Sequence, residues 1–538
     1  MKPASESSEW QRDSIWVDGG FVMALVLLVL GPSLWRGGLL GNPGVDVWSH
    51  AWGMDWFATA VANGRIPYEV DGLRHPVGGV LWYIDLLGAA LATPFMVAGL
   101  HELGFNLVIV TQLVFAAGAG LAWGRSLGGS GFVAAAALAT APFLLCTWSN
   151  GVLEAGWIGL VALAGWTAVR GSAWTGPMVG LAFVATPYLG VAAAAVAGMA
   201  LLQRRDLRLL MVSLSVAAVV ALPMVWGIAS GFDDPRSMAI KPAPGPRWPT
   251  WRINGVDPRA FGVPGDFWSV MLQGDGAPPF KRTPYLGWVV LLAAGAGWWR
   301  GRTARTWALV VAMGCGLALG PVLFYDGEFA RWPGSDSVVW LPFGWISTLS
   351  GVGMDHPLRF IVMTLVVLGG CADGMVGPRK AWGGLVACLV VVEGLLVAPT
   401  VWPLPTSDAS LPAVYDSLPE DGAAIIDLPA DVGGTMHSSR YLYWHALHDR
   451  PIPYGNKVSG QLLRVDNSAL RRWTYRGHPS GTDREAIETL HRWGYRWVVL
   501  HEGLCGDRCD ELRQRVSADL GVPSIRTNAM VWEIQGDD

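Results

Sequence analysis

The stretch Gly41-Asn42-Pro43-Gly44-Val45-Asp46-Val47-Trp48-Ser49-His50-Ala51-Trp52-Gly53-Met54-Asp55-Trp56-Phe57 follows directly on an apolar run from Phe21 to Trp35. At about 100° per residue, a helix over 46–63 sets Trp48, Trp52 and Trp56 in one stripe and puts Asp46 and His50 on another face. Such a helix lies along a membrane surface, with its indoles in the headgroup region and its acid and imidazole turned toward the protein. Asp46 has a second reading, as an N-cap accepting the Ser49 amide after a turn ended by Gly44. Spacing leaves both open.

Working outward, composition decides the class. The chain has 538 residues, 52% hydrophobic and only 15% charged, with mean hydropathy +0.36. Soluble domains carry about 25% charged residues, so this is the composition of a polytopic membrane protein. Thirty Trp fit that class, because indoles favour the bilayer interface. A formal charge of −4 gives no footprint for nucleic acid. Met1 to Val17 is polar, and the first apolar run ends in Arg36-Gly37-Gly38 without a small-x-small cleavage pattern, which reads as a retained anchor.

Apolar stretches near the roughly 17–25 residues a bilayer requires occur at 18–36, 80–100, 105–124, 131–148, 155–170, 177–201, 208–230, 284–299, 304–324, 357–377 and 381–400. Three basic clusters, Arg204 with Arg205 and Arg208, Arg300 with Arg302 and Arg305, and Arg379 with Lys380, belong on the cytoplasmic side. Arg125 and Arg170 place Glu154 outside, whereas strict alternation from a cytoplasmic N-terminus places it inside. A break at Pro94 or at Thr186-Pro187-Tyr188 resolves the conflict.

Composition shifts again at Pro403. Ala423 to Leu428 and Arg496 to His501 read as short buried strands, and Arg484 to Trp493 as a helix. The expectation is a mainly α fold: a transmembrane bundle of about 11–13 helices over 1–402, with outer loops 37–79, 231–283 and 326–356. An extracytoplasmic α/β domain over 403–538 follows.

The order of motifs is more specific than any one of them. Gly-x-x-Gly-x-Asp-x-Trp-x-His-x-Trp from Gly41 is followed by Ile66-Pro67-Tyr68 and by His75-Pro76-x-Gly78. Later come Pro142-Phe143, Trp148-Ser149-Asn150-Gly151 with Glu154, then Leu341-Pro342-Phe343 and His356-Pro357-Leu358-Arg359-Phe360. Tyr441 to Gly455 closes the series. This pattern resembles the large bacterial and archaeal branch of the GT-C superfamily, polytopic glycosyltransferases that use polyprenyl-phosphate-linked sugars. The resemblance implies that Asp46 is the acid of the first outer loop, a general base or acceptor ligand. It implies that Glu154 is the second-loop acid, which helps hold the acceptor or a divalent cation. His50 and Asn150 would line the same site. Arg74, His75, His356 and Arg359 are the outer cations available to a donor phosphate. The second loop has no Asp-x-Asp pair, which leaves dependence on Mg or Mn, through Asp46 and Glu154, unsettled.

An inverting transfer needs one carboxylate to take the acceptor's proton and cations to neutralise a leaving lipid phosphate. The partners implied are a polyprenyl-phosphate sugar, membrane lipid and a glycan, lipid or protein acceptor, at the outer face of a cytoplasmic (inner) membrane. A non-catalytic scaffold of the same fold, or a flippase-like transporter, is the alternative. Among other residues, Asp85 stands inside an apolar segment, where a charge is costly, and Glu393 is expected to pair with a neighbouring helix. His437, His445 and His448 are expected on a surface, facing solvent or a partner. Cys505 and Cys509 could close a small disulfide loop in an oxidising compartment.

Overall fold

The computed structural model describes residues 4–43, 46–82, 85–238, 248, 251, 254–263, 283–301, 303–344, 356–398, 400–430, 437–455, 467–475 and 483–535. Helix α1 (Ala4–Val29) leads through a two-residue strand β1 (Leu39–Leu40) into α2 (Val47–Ala62) and α3 (Leu86–Val97). Then come α4 (His101–Ser126), α5 (Phe132–Ala139), α6 (Pro142–Ser149) and α7 (Gly159–Val169). The bundle continues with α8 (Thr175–Ala185), α9 (Pro187–Arg204), α10 (Leu207–Asp233), α11 (Trp288–Trp299), α12 (Trp307–Ala318), α13 (Ile361–Val376) and α14 (Lys380–Val397). Among the described residues, five stretches are long and apolar enough to cross a bilayer: His101–Ser126, Phe132–Ser149, Leu207–Gly231, Pro357–Val376 and Lys380–Val397.

The basic residues gather at one end. Arg125 donates two hydrogen bonds to Asp18, 2.7 and 2.6 Å, and Lys380 lies 3.9 Å from the same carboxylate. Arg204 donates to the Val169 carbonyl at 2.8 Å, and Gln203 to the Thr306 hydroxyl at 2.7 Å. Gly374, late in α13, packs against both Leu127 and Thr303 and joins the two groups.

Of the two candidate breaks the one at Thr186-Pro187-Tyr188 is found, the one at Pro94 is not, and one expected passage is corrected. The 177–201 segment is not one helix, because Thr186 is fully extended (φ −166°, ψ 144°) between α8 and α9. Gly176 packs on Ser213 and Val216, and Gly180 on Ala217 and Val220, so α8 runs parallel to α10 and antiparallel to α9. The additional pass, together with the loss of one at 80–100, removes the parity conflict and leaves Glu154 at the end away from Arg125 and Arg170. The 80–100 segment, in contrast, yields the 12-residue α3, and both of its ends stay beside α2 and the Glu154 loop. It starts at Asp85 beside Trp157, and the next helix begins with His101 paired to Asp55 of α2 at 3.3 Å. Helix α3 therefore packs along α2 at the site end.

The indole stripe is also corrected. Trp48 and Trp52 are 0% and 2% exposed. Trp48 packs on Tyr443 (5.6 Å between centroids) beneath the Arg440 guanidinium. The period was read rightly, but the apolar surroundings are protein rather than headgroups.

Past α14 the chain forms β2 (Thr406–Ser407), β3 (Ala424–Leu428), α15 (His437–His448), α16 (Ser468–Thr474) and α17 (Arg484–Arg492). Strand β4 (Tyr495–His501), α18 (Cys509–Leu520), β5 (Ser524–Arg526) and β6 (Ala529–Glu533) complete it. The four-stranded sheet has order β3-β4-β6-β5. Its first pair is parallel, with Leu428 opposite Leu500, and the other two are antiparallel. Both strands expected from the sequence form and are almost wholly buried. Cys505 and Cys509 are joined as a disulfide. Strand β2 pairs antiparallel with β1, Leu39 opposite Ser407, and so stitches the first loop to the C-terminal part.

Candidate functional site

The loop entering α2 is fixed residue by residue. Leu40 donates its amide to the Asn106 side-chain oxygen at 2.9 Å, Asn42 to the Ser149 carbonyl at 2.7 Å, and Asp46 to the Asn150 carbonyl at 3.1 Å. Gly151 makes this approach possible. At φ +71° it leaves no room for a Cβ, which would lie 2.4 Å from the Val47 Cα. Asp46 occupies the N-cap position of α2, yet its side chain makes no cap hydrogen bond. Only its backbone carbonyl serves the helix, accepting from the His50 amide at 3.1 Å and the Ser49 hydroxyl at 2.9 Å. Of the two readings of Asp46, the position is that of a cap while the carboxylate is not used as one.

Glu154 stands opposite. Its two oxygens face Arg359 Nη2 at 2.8 Å and His50 Nε2 at 3.3 Å. The loop is pinned from below by Gln112, which donates to the Leu153 carbonyl at 2.8 Å and accepts from the Trp148 indole at 2.9 Å. Arg359 lies over the Tyr188 ring, 5.5 Å from its centroid, and the Tyr188 hydroxyl accepts the His356 amide at 2.9 Å. The Arg359 guanidinium also feels the Asp46 carboxylate. Asp85, fully buried, caps α3 by accepting from Gly88 N at 3.1 Å and takes the Trp157 indole N–H at 3.2 Å. It lies in the field of His50 and Glu154. The result is three carboxylates around one guanidinium and one imidazole, drawn from α2, α3, the loop before α7 and the entry to α13.

Of the residues singled out in the sequence, Asp46, His50, Asn150, Glu154, His356 and Arg359 are brought together. Arg74 and His75 are engaged elsewhere. Arg74, 1% exposed, donates to the Ser237 carbonyl at 3.1 Å, and its amide to Tyr454 O at 3.0 Å. His75 Nε2 meets the Trp493 carbonyl at 2.6 Å and its ring stands edge-on to Tyr495. The pair clasps the first loop to the C-terminal sheet. Tyr188 and Gln112 carry site geometry that sequence reasoning missed, since a lone Tyr or Gln in an apolar helix has no pattern. Asp85 did have a signal, a charge in an apolar run.

A second acid–imidazole group sits inside the C-terminal part. Asp427 Oδ1 accepts the Tyr415 hydroxyl at 2.7 Å and faces His501 Nε2 at 2.9 Å. Tyr441, Trp444 and His448 close around it. Burial pushes the Tyr415, Tyr441 and Tyr454 phenols well above their ordinary range. Burial also holds His448 down to about 4. Of the histidines of α15 expected at a surface, His448 is turned against Tyr415, while His445 is half-buried and lines a cavity; the His437 side chain lies outside the described residues. Glu393, as expected, pairs with a neighbouring helix, accepting from Trp288 N, Val289 N and the Tyr285 hydroxyl at 2.7–3.1 Å.

Glu154 Oε1 faces the Arg359 guanidinium and Oε2 the His50 imidazole, and among the described residues no three His, Cys, Asp or Glu side chains stand close enough to hold a metal.

The overall shape has known counterparts. The mycobacterial arabinofuranosyltransferase AftD, mutant R1389S class 2, superposes with TM-score 0.56 at 14% identity, over 98% of this chain and 42% of that one. The chain has the GT-C fold. It thus spans well under half the length of that GT-C protein. The Archaeoglobus fulgidus oligosaccharyltransferase AglB, in complex with an inhibitory peptide and a dolichol-phosphate, also aligns, at TM-score 0.45 and 12% identity over 95% of this chain and 72% of its own. No protein-family model matches the chain, and no curated protein sequence does.

Proposed function

We propose that this GT-C chain is a membrane glycosyltransferase, moving a sugar from a polyprenyl-phosphate donor to an acceptor at the outer face of a cytoplasmic membrane. Residues 403–538 then form an extracytoplasmic domain. The observation that carries the reading is the Asp46 carboxylate, left out of its helix cap and set beside the Arg359–Glu154–His50 group. The acceptor hydroxyl oxygen attacks the anomeric carbon as its proton passes to Asp46. The anomeric C–O bond to phosphate breaks with its electron pair on the phosphate oxygen, and polyprenyl phosphate departs with inversion at carbon. Arg359 and the nearby His356 meet the phosphate charge, while Glu154 holds Arg359 and His50 in place as a positioning residue. No step is routed through a metal.

The test uses the full chain in nanodiscs with a panel of polyprenyl-phosphate sugars and candidate acceptors, reading release of polyprenyl phosphate. Loss of a general base removes about 10²–10⁴-fold in rate. Asp46→Asn should fall by that amount with unchanged thermal stability. Equal release by wild type and Asp46→Asn removes Asp46 from the base role, and no release from any donor refutes the transferase reading.

A further inference from the structure

A cavity of about 790 Å³ lies away from this group, between α2, the 65–72 loop, the end of α10 and the end of α15. That volume is within the range of small-molecule sites, about 300–1,000 Å³. Its apolar walls are the indoles of Trp56, Trp82 and Trp226. Each is presented by its surroundings. Trp56 stacks on Trp52 at 5.8 Å and donates to the Glu69 carbonyl at 3.1 Å. Trp82 lies flat on α10 at Gly227, where a Cβ would collide with the ring. The Trp82 indole N–H is buried and has no hydrogen-bond partner among the described residues. Trp226 is 68% exposed at the rim.

The polar lining is rich in acceptors. Glu69, Asp71 and Asp449 contribute carboxylates against the single guanidinium of Arg65. Arg236 adds a weak contact to Glu69 at 3.7 Å from outside the lining. His445 is fixed as well. Its Nδ1 donates to the Arg450 carbonyl at 2.9 Å, which leaves Nε2 as an acceptor in the neutral ring. Burial lowers its pKa and favours that neutral form.

Flat aromatic faces suit the C–H faces of a sugar ring, and carboxylates accept its paired hydroxyls. Three carboxylates against one guanidinium make a poor seat for a phosphate, so the cavity favours a neutral ligand. We infer that this cavity binds a neutral, polyhydroxylated glycan, the acceptor side of the transfer proposed above. The inference rests on that reading for its place in a reaction, but binding is measurable without turnover.

The experiment is saturation-transfer NMR and calorimetry on the full chain in nanodiscs. The probes are neutral gluco-, manno-, galacto- and arabino-oligosaccharides, with phosphorylated sugars as the anionic arm. A neutral oligosaccharide should bind wild type and Asp46→Asn alike. Trp226→Ala, at an exposed rim position, should weaken binding about two- to tenfold, as the loss of one aromatic face predicts, and Asp449→Asn should weaken it further. Overturning results are no binding by any neutral oligosaccharide, preference for the phosphorylated arm, or binding indifferent to both variants. If a glycan binds here yet no donor is ever turned over, the cavity assignment stands and the transferase reading falls.

Discussion

Glu154 and Asp427 are both buried carboxylates facing a histidine, at 3.3 and 2.9 Å. Their remaining neighbours separate them. Glu154 shares its charge between a guanidinium and an imidazole whose side chains keep 16% and 13% exposure, and a second carboxylate, Asp46, lies within their field. Asp427 is 0% exposed and enclosed by Tyr415, Tyr441, Trp444 and His501. The first group keeps its guanidinium and imidazole partly exposed and holds an acid its helix does not need. The second has its donors closed in among rings, where they tie β3 to β4. An acid–histidine contact therefore identifies nothing by itself; what counts is whether charge is left for something to bind.

That contrast can be broken at either end. The largest effect is the loss of turnover in Asp46→Asn at constant stability. Asp427→Ala should show the reverse. It strands the Tyr415 hydroxyl and the His501 N–H in the interior, at about 1–3 kcal/mol per lost partner, so the melting temperature falls while turnover per folded molecule is kept. A turnover loss exceeding the unfolded fraction would make the second group catalytic as well.

A pH experiment sharpens the same point with a smaller effect. His448 is held near 4 from an ordinary 6.5, chiefly because burial disfavours its charged form. Protons therefore bind the unfolded chain first. Its contribution to stability is whole above about pH 6.5 and is lost as pH falls toward 4, by at most about 3 kcal/mol. His448→Gln should flatten that window in a melting-temperature profile, and an unchanged profile would show that another group governs it. Smallest of all, Tyr188→Phe removes the acceptor for the His356 amide, worth about 1 kcal/mol. A modest loss in kcat with little change in melting temperature would place Tyr188 in support of Arg359.

Much of this was legible beforehand, for identifiable reasons. Long apolar runs announce helices because a spanning segment of that length satisfies its own backbone only as a helix, and β3 and β4 read correctly from short apolar runs. The division of α8 from α9 was legible as a candidate break at Thr186-Pro187-Tyr188, beside a second candidate at Pro94 that α3 runs through unbroken. The Trp48–Trp52 stripe was seen but misplaced, because periodicity reports a face and not what covers it. Within the site, the motif order drew out Asp46, His50, Asn150, Glu154 and Arg359. The departure of Arg74 and His75 was invisible, as both depend on carbonyls of Ser237 and Trp493 far along the chain. The two partners lie 163 and 418 residues on, beyond the reach of any local pattern.

The seam between β1 and β2 has a consequence for synthesis. Ser407 donates its hydroxyl to the Gly41 carbonyl across 366 residues at 2.8 Å. At about 5–20 residues per second, the ribosome delivers that partner roughly 20 to 70 s after the Asp46 loop has emerged. Until then the loop has its bonds to Asn106, Ser149 and Asn150 but lacks the seam that closes it on the C-terminal side. A nascent chain stalled before residue 406 should leave it open to protease, and release of the stall should close it.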